Sequence, residues 1–358
     1  MINAVVQRVG LDQLNAADNP FQSQFWALAK RPSGWKSFAF RYTVTDEGGL
    51  SVSTVFLVLV RRLFFHYRLA YIPFAPDIDQ YHGDEQTLID QCAELLQPLL
   101  PKGTAFVRFD LPWQYREQET PLQIKGKYLR VCSESVQPEG TVQVNLRPGY
   151  DSVRLQYRER ARRNIRKARS QGIVIRPWDG KDQTFSAWYT VYTQTAKRDG
   201  FIPRPSAYLH HLLSLEAPDV SAYLYIAYRG NTILGGALII ESAETAVYLY
   251  GASIRVDGCS PSYMLQDFAI EQSCKRQRHL YDLYGISGPG NRGAHLDGLR
   301  LFKRAFGGEV RYRSPSVDRV YHRFIRWIYV HLEMMRYLAY RKKHPKKMVQ
   351  QYAIGKDT

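Results

Sequence analysis

Apolar runs and alternations along the chain mark two stretches with one plan. Residues 50–113 read as a strand "LSVSTVFLVLV", a strand "RLAYIPFAP", a helix "DEQTLIDQCAELLQPLL" and a strand "AFVRFDLPW". Residues 222–287 read as "AYLYIAYR", a tight turn at Gly230-Asn231, "TILGGALIIES", "TAVYLYGAS", a helix "SYMLQDFAIEQSCKRQ" and the strand "HLYDLYGIS". In each stretch an aromatic strand (Tyr71; Tyr248 and Tyr250) precedes a loop and helix, and the next strand carries an aspartate (Asp110; Asp282). Alternation about Leu249 predicts that Tyr248 and Tyr250 face one side of their strand.

The segment "QPEGTVQVNLRPGYDS" lets the chain cross between the two, which predicts domains over 1–145 and 146–315. Residues 316–343 read as one helix completing the first domain, with Val317, Val320, Phe324, Ile328, Met335 and Leu338 near one stripe. Pro345 ends it, and 344–358 reads as a basic, disordered tail. A helix at 158–172, "RERARRNIRKARSQG", has Tyr157, Ala161, Ile165 and Ala168 as a narrow apolar seam and Gly172 as its stop.

Charge sharpens that picture. The fifteen residues 158–172 hold six arginines and one lysine against the single acid Glu159. Such density repels itself unless something anionic binds, so Arg158, Arg162, Arg163, Arg166, Lys167 and Arg169 are candidates for contact with a polyanion. The whole chain, 358 residues with a formal charge of +16, points the same way, to a nucleic acid, a phosphorylated substrate or an anionic membrane surface. With 45% hydrophobic and 23% charged residues, wholesale disorder is excluded.

Four scattered cysteines (Cys92, Cys132, Cys259, Cys274) form no zinc or disulfide pattern and fit a reducing cytoplasm. No signal-peptide order opens the chain, and the run "VFLVLV" is too short to span a bilayer. Walker, G-x-S-x-G and H-E-x-x-H motifs are absent, and His210-His211 reads as a pair on an amphipathic helix. The glycine-rich "GISGPGN" at 285–291 reads as a mobile active-site loop or a plain surface loop.

Antiparallel strands followed by strand–helix–strand are the layout of an N-acetyltransferase-like (GNAT) domain. The predicted fold is α/β, two tandem GNAT-like domains, each a mixed sheet flanked by helices. Coenzyme A needs main-chain N–H groups around its pyrophosphate at a helix N-terminus. The corresponding segments are "SIRVDGCSPSYMLQ", with one glycine, and the acidic "PDIDQYHGDEQ". Neither suits the coenzyme, so no cofactor is expected.

Eight stretches, in order, together resemble the FemABX family. They are "FQSQFWALAKRPSGW", "RLAYIPFAP", "FVRFD", "YRERARRNIRKARSQGIVIR", "AKRDGFIPRPSAYL", "GGALIIESAETAVYLYGAS", "LYDLYGIS" and "LRLFKRAFGGE". The resemblance implies a compact, FemX-like aminoacyltransferase of peptidoglycan bridge formation. Such an enzyme passes an amino acid from aminoacyl-tRNA to the stem-peptide amine of a muramyl-pentapeptide precursor, lipid-linked or nucleotide-linked. Both substrates are polyanions, which fits the charge.

By position, the resemblance assigns Lys30, Arg204 and Tyr208 to the precursor diphosphate. It assigns Asp110 to the attacking amine, and Tyr250 and Lys303 to the transfer site. A monomer is expected, with peripheral contact between the C-terminal helix and the inner membrane leaflet as the alternative to simple packing. Two other functions compete: a GNAT-fold N-acyltransferase using acyl-CoA, and a non-catalytic RNA-binding protein on a decayed scaffold.

Overall fold

The computed structural model describes residues 3–45, 48–78, 84–117, 119, 124, 128–133, 135–254, 256, 258, 260–289 and 296–343. The chain opens with β1 (Asn3–Val9), α1 (Gln24–Lys30), β2 (Lys36–Thr45), β3 (Ser51–Arg62), β4 (Arg68–Ile72) and α2 (Glu85–Leu96). There follow β5 (Thr104–Phe109), β6 (Gln114–Tyr115) and β7 (Leu129–Val131). Next come β8 (Gly140–Asn145), α3 (Tyr150–Leu155), α4 (Glu159–Ser170), β9 (Ile173–Pro177), α5 (Asp182–Asp199) and α6 (Ser206–Ser214). Then β10 (Ser221–Arg229), β11 (Thr232–Glu241), β12 (Thr245–Ser253), α7 (Pro261–Lys275) and β13 (Leu280–Asp282). The last elements are α8 (Asp297–Lys303), β14 (Glu309–Arg313), β15 (Val317–Val320) and α9 (Arg323–Lys343).

The chain divides into two compact units. One comprises Met1–Gln137 with Arg313–Tyr340, the other Pro138–Tyr312. In the first, strands run β1-β2-β3-β4-β5-β15-β7; in the second, β9-β10-β11-β12-β13-β8-β14. Strand directions repeat as well. The fourth and fifth strands are parallel, β4 with β5 and β12 with β13, and the fifth and sixth are antiparallel in both. One plan is used twice, as the pattern of apolar runs predicts.

What the contiguous reading misses is the source of the sixth strand. In the first unit β15 arrives after the whole second unit; in the second, β8 arrives before it. Residues 140–145, expected to close the first domain and begin the crossing, are therefore a strand of the second. Thr141, Val142 and Val144 are buried there between β13 and β14. The expected helix at 316–343 is likewise two elements. Val317 and Val320 are core positions of β15, and the helix begins only at Arg323.

Local rules explain the pieces. Asp84 caps α2 by accepting from the Thr87 N–H at 2.8 Å, and Leu88, Ile89, Cys92, Ala93 and Leu96 recur along its buried face. The central run Phe56–Val60 of β3 is buried throughout, because both faces of that strand are covered. α5 lies against β11 at Gly236, where any Cβ would overlap the Trp188 indole. That close approach sets the height at which α5 presents Tyr189 and Tyr192.

Candidate functional site

The second unit holds a cleft, and the pairing of β12 explains why it is there. β12 meets β13 only through Thr245–Val247 opposite Leu280–Asp282, but stays with β11 as far as Ser253. Beyond Val247 the two parallel strands part. A cleft of about 590 Å³ opens there, lined by Arg160 and Arg163 of α4, Arg198 of α5, Tyr248 and Gly251 of β12, Tyr263 of α7 and Phe302 of α8.

A bulge in β12 decides which tyrosine enters it. Tyr250 pairs with Leu238 and Tyr248 with the next residue, Ile239, so Leu249 is extra. Cross-strand partners share a face and successive residues alternate, so the bulge sends Tyr248 and Tyr250 to opposite faces. The expectation that both face one side fails for this reason. Tyr248 turns along the strand and covers Gly251, where a Cβ would overlap its phenol.

Lys303, the last residue of α8, stands against Tyr248 with Nζ 5.9 Å from the ring centroid. It is 5% exposed. Its ammonium donates to the carbonyl of Gly285 at 2.6 Å and to that of Tyr284. Both acceptors sit at left-handed backbone positions, Tyr284 with φ 53° and Gly285 with φ 40°, a turn that directs two successive carbonyls inward. The Tyr284 N–H is held by Asp282 Oδ1 at 2.7 Å. Burial drives the Lys303 pKa down to about 7, and the nearby Asp282 opposes this only in part.

On the other face of β12, Tyr250 meets Arg204. The Arg204 backbone is pinned by α5: its N–H donates to Tyr192 Oη at 3.3 Å, and its carbonyl accepts from the Tyr189 hydroxyl at 3.1 Å. Burial works against the charge of Arg204. The Tyr250, Tyr208 and Tyr192 phenols, with a hydrogen bond to Tyr250, nevertheless hold its pKa above the ordinary guanidinium value. Its Nε is buried without a hydrogen-bond partner among the described residues. Tyr208, on α6, is buried alongside. Arg204, Tyr208 and Tyr250 thus form one cluster, while Lys303 keeps company with Tyr248.

The arginine-rich helix is α4. Ala161, Ile165 and Ala168 are its buried seam, and Arg158, Arg162, Arg163, Arg166, Lys167 and Arg169 are exposed. Arg169 is partly engaged, at 3.2 Å from Asp267 Oδ2. The other five have no acidic partner among the described residues. Arg160 donates to Tyr263 Oη at 2.8 Å, which fixes α4 at the rim of the cleft.

The first unit carries Asp110 and Lys30. Asp110, just past β5, is 4% exposed and accepts from the Tyr71 hydroxyl and Ser316 Oγ. Gln137 Nε2 donates in turn to Tyr71 Oη at 3.0 Å. Burial pushes the Asp110 carboxyl up to about 6 despite those hydrogen bonds and the charges of Arg108 and Arg313. Arg108 does not pair with Asp110. It meets Asp318 at 2.7 Å and Glu333 at 3.2 Å. Lys30 ends α1 with Nζ 4.3 Å from the centroid of the Trp26 ring, a cation–π contact.

His210 is half of an aromatic helix face, 5.0 Å from the Phe185 ring and 3.0 Å from Asp182 Oδ1. Among the described residues no group of acids, histidines and cysteines is arranged to hold a metal. Cys259, residues 290–291 of the glycine-rich loop, parts of both segments compared with coenzyme loops, and the tail 344–358 lie outside the described residues. Sequence reasoning missed the Tyr284 and Gly285 carbonyls and the Tyr189–Tyr192 pair. The i, i+3 spacing of those tyrosines was a usable signal; nothing in "LYG" announces two inward carbonyls.

Comparison with known proteins agrees with this architecture. Residues 156–295 match the family model of the acetyltransferase (GNAT) domain. No match is found among curated proteins. Among solved structures, FemX aligns with a TM-score of 0.66 at 15% identity, over 91% of this chain and 99% of FemX. A C-terminal domain of a putative lysylphosphatidylglycerol synthetase from Agrobacterium fabrum aligns at TM-score 0.48 and 12% identity, over 86% of this chain and 88% of that one. A tandem GNAT protein from the clavulanic acid pathway aligns at 0.46 and 11%, over 89% and 98%. The chain has a FemX-like fold, an α/β architecture of two GNAT-like units.

Proposed function

We propose that this protein is an aminoacyltransferase that passes an amino acid from aminoacyl-tRNA to the stem-peptide amine of a peptidoglycan precursor. One observation carries the reading: α4, five of whose basic side chains have no acidic partner among the described residues, borders with Arg160 and Arg163 the cleft that Tyr248 also lines, and Lys303 stands against that tyrosine. A basic helix at the rim and a buried amine beside the Tyr248 wall would then act on one substrate. The α4 arginines would hold the tRNA phosphates and lead the aminoacylated end into the cleft.

The chemistry needed is modest, because the aminoacyl ester is already activated. The acceptor amine attacks the ester carbonyl, a C–N bond forms, the C–O bond to the ribose breaks, and the proton lost by the amine ends on the ribose oxygen. With two N–H bonds of Lys303 spent on the Tyr284 and Gly285 carbonyls and no third acceptor among the described residues, its third would serve the oxyanion of the tetrahedral intermediate. A lysine that titrates near neutrality also suits proton delivery to the departing ribose oxygen.

Arg204, with Tyr208 and Tyr250, supplies a planar cation for the precursor's phosphates, and its buried, unsatisfied Nε is a donor awaiting an acceptor. Lys30 is assigned the same ligand by the resemblance. Asp110, held by Tyr71 and Ser316 and pushed up to about 6, is assigned to the acceptor amine.

The test is incubation of the purified protein with mixed charged tRNAs and either nucleotide-linked or lipid-linked precursor, read by mass. An added aminoacyl residue supports the reading, and unchanged precursor with every charged tRNA rejects it. An acyl-CoA donor is the competing reading favoured by the GNAT match over 156–295. Acyl transfer from a coenzyme A mixture without tRNA would establish it instead.

A further inference from the structure

Helix α9 has two faces of opposite design. Inward, Ile325 is 5% exposed, the Tyr329 ring lies 5.3 Å from that of Phe106, Arg326 meets Asp318 at 2.9 Å and Glu333 meets Arg108. These contacts fix the helix on the first unit. Outward, at 100° per residue, Phe324, Trp327, His331, Met334, Met335 and Leu338 fall within an arc of about 100°. Phe324, Trp327, Met334, Met335 and Leu338 are each between 51% and 62% exposed. Phe324 and Trp327 stack on each other with ring planes 13° apart, leaving one broad aromatic surface.

Scattered exposed apolar residues need no account, but a continuous stripe of this size does. We propose that the outer face of α9 docks in the plane of an anionic lipid surface, with the Phe324–Trp327 pair and the Met334–Met335–Leu338 end in the acyl boundary and Arg323, beside the stripe, among the headgroups. The charge decides the occupant. The helix sequence holds six basic residues against one acid, and that acid, Glu333, is turned inward on Arg108. A second copy would set like charge against like charge. A nucleic acid would match the arginines and leave the methionine and leucine stripe unpartnered. An anionic bilayer interface satisfies both. Spanning is not at issue: among the described residues no helix is long and apolar enough to cross a membrane.

The proposal is independent of the transfer reaction, since a soluble nucleotide-linked acceptor needs no bilayer. Its test is co-sedimentation of the full chain with vesicles of phosphatidylcholine alone or with about a quarter phosphatidylglycerol, at low and physiological salt. The expected result is binding to the anionic vesicles, weakened by salt and reduced about tenfold or more in Phe324→Ser/Trp327→Ser/Met335→Ser. Those positions are exposed, so the variant should melt as the parent does. Arg323→Glu, at an exposed position beside the stripe, should weaken binding to anionic vesicles only. The proposal fails if the parent ignores anionic vesicles or if the serine variant binds as the parent does. It also fails if, without lipid, the parent forms a concentration-dependent dimer that the serine variant abolishes.

Discussion

The Nζ of Lys303 donates to the Gly285 carbonyl at 2.6 Å, and it does so from a position only 5% exposed. A buried ammonium held by carbonyls, with no carboxylate in direct contact among the described residues, is costly, and such a cost is kept where the group does chemistry. Lys303→Ala should lower kcat by about 10²–10³ while leaving the precursor KM in place. Steady-state kinetics with each substrate varied decides this; an unchanged kcat removes Lys303 from the reaction.

The same burial predicts a pH-dependent stability. The folded-state pKa of Lys303, about 7, lies below its ordinary 10.5. Between these values the unfolded chain holds a proton the folded chain has released, so stability rises with pH across that window, and the penalty is complete below it. Lys303→Met should therefore stabilise the protein by a few kcal/mol at about pH 6.5 and by much less at about pH 9.5. Urea unfolding of both proteins at the two pH values measures it.

Gly251 and Tyr248 compete for one space. Gly251→Ala must push the Tyr248 phenol off the strand, because the new Cβ overlaps it. Since Tyr248 forms the cleft wall beside Lys303, kcat/KM should fall about tenfold, for a stability loss of about 1 kcal/mol. Tyr248→Ala/Gly251→Ala should show strong non-additivity in a double-mutant cycle.

Arg204→Ala should raise the KM for the muramyl precursor about ten- to a hundredfold, the effect of removing a charge-assisted hydrogen bond to phosphate, with the KM for aminoacyl-tRNA nearly unchanged. A rise confined to tRNA would move Arg204 to the other substrate.

Arg162 and Arg166 have exposed side chains on α4 with no acidic partner among the described residues. Reversing both to glutamate should weaken tRNA binding and flatten its salt dependence by about one power of salt concentration for each phosphate that α4 no longer neutralises. Identical binding across a salt series would show that α4 is only a solvated face.

Asp318→Ala would leave Arg108 buried beside Glu333 alone, at a cost of about 3–5 kcal/mol. Burial works to raise the Asp318 carboxyl, yet Arg108 and Arg326 hold it below the ordinary 3.8. The stability it confers is therefore present above that pH and disappears as pH falls below it. Thermal melts of parent and variant at neutral and acid pH check both statements.

What could be read in the order of residues is what local physics controls. Apolar periodicity placed α2, α4, α7 and the β10–β11 hairpin, and charge density marked α4. The repeated strand–helix–strand order exposed the duplication. The ordered FemABX-like stretches led to the FemX-like fold. Three things were settled only in three dimensions. The sixth strand of each sheet is borrowed across the sequence, and hydrogen-bond partners that distant leave no trace in a local pattern. The bulge at Leu249 reversed the faces of Tyr248 and Tyr250, because alternation assumes an unbroken register and one extra residue inverts it. The environment of Lys303, two carbonyls from a left-handed turn in a site nearly free of solvent, arises from backbone atoms and exclusion of water, and neither is written in the identity of any residue.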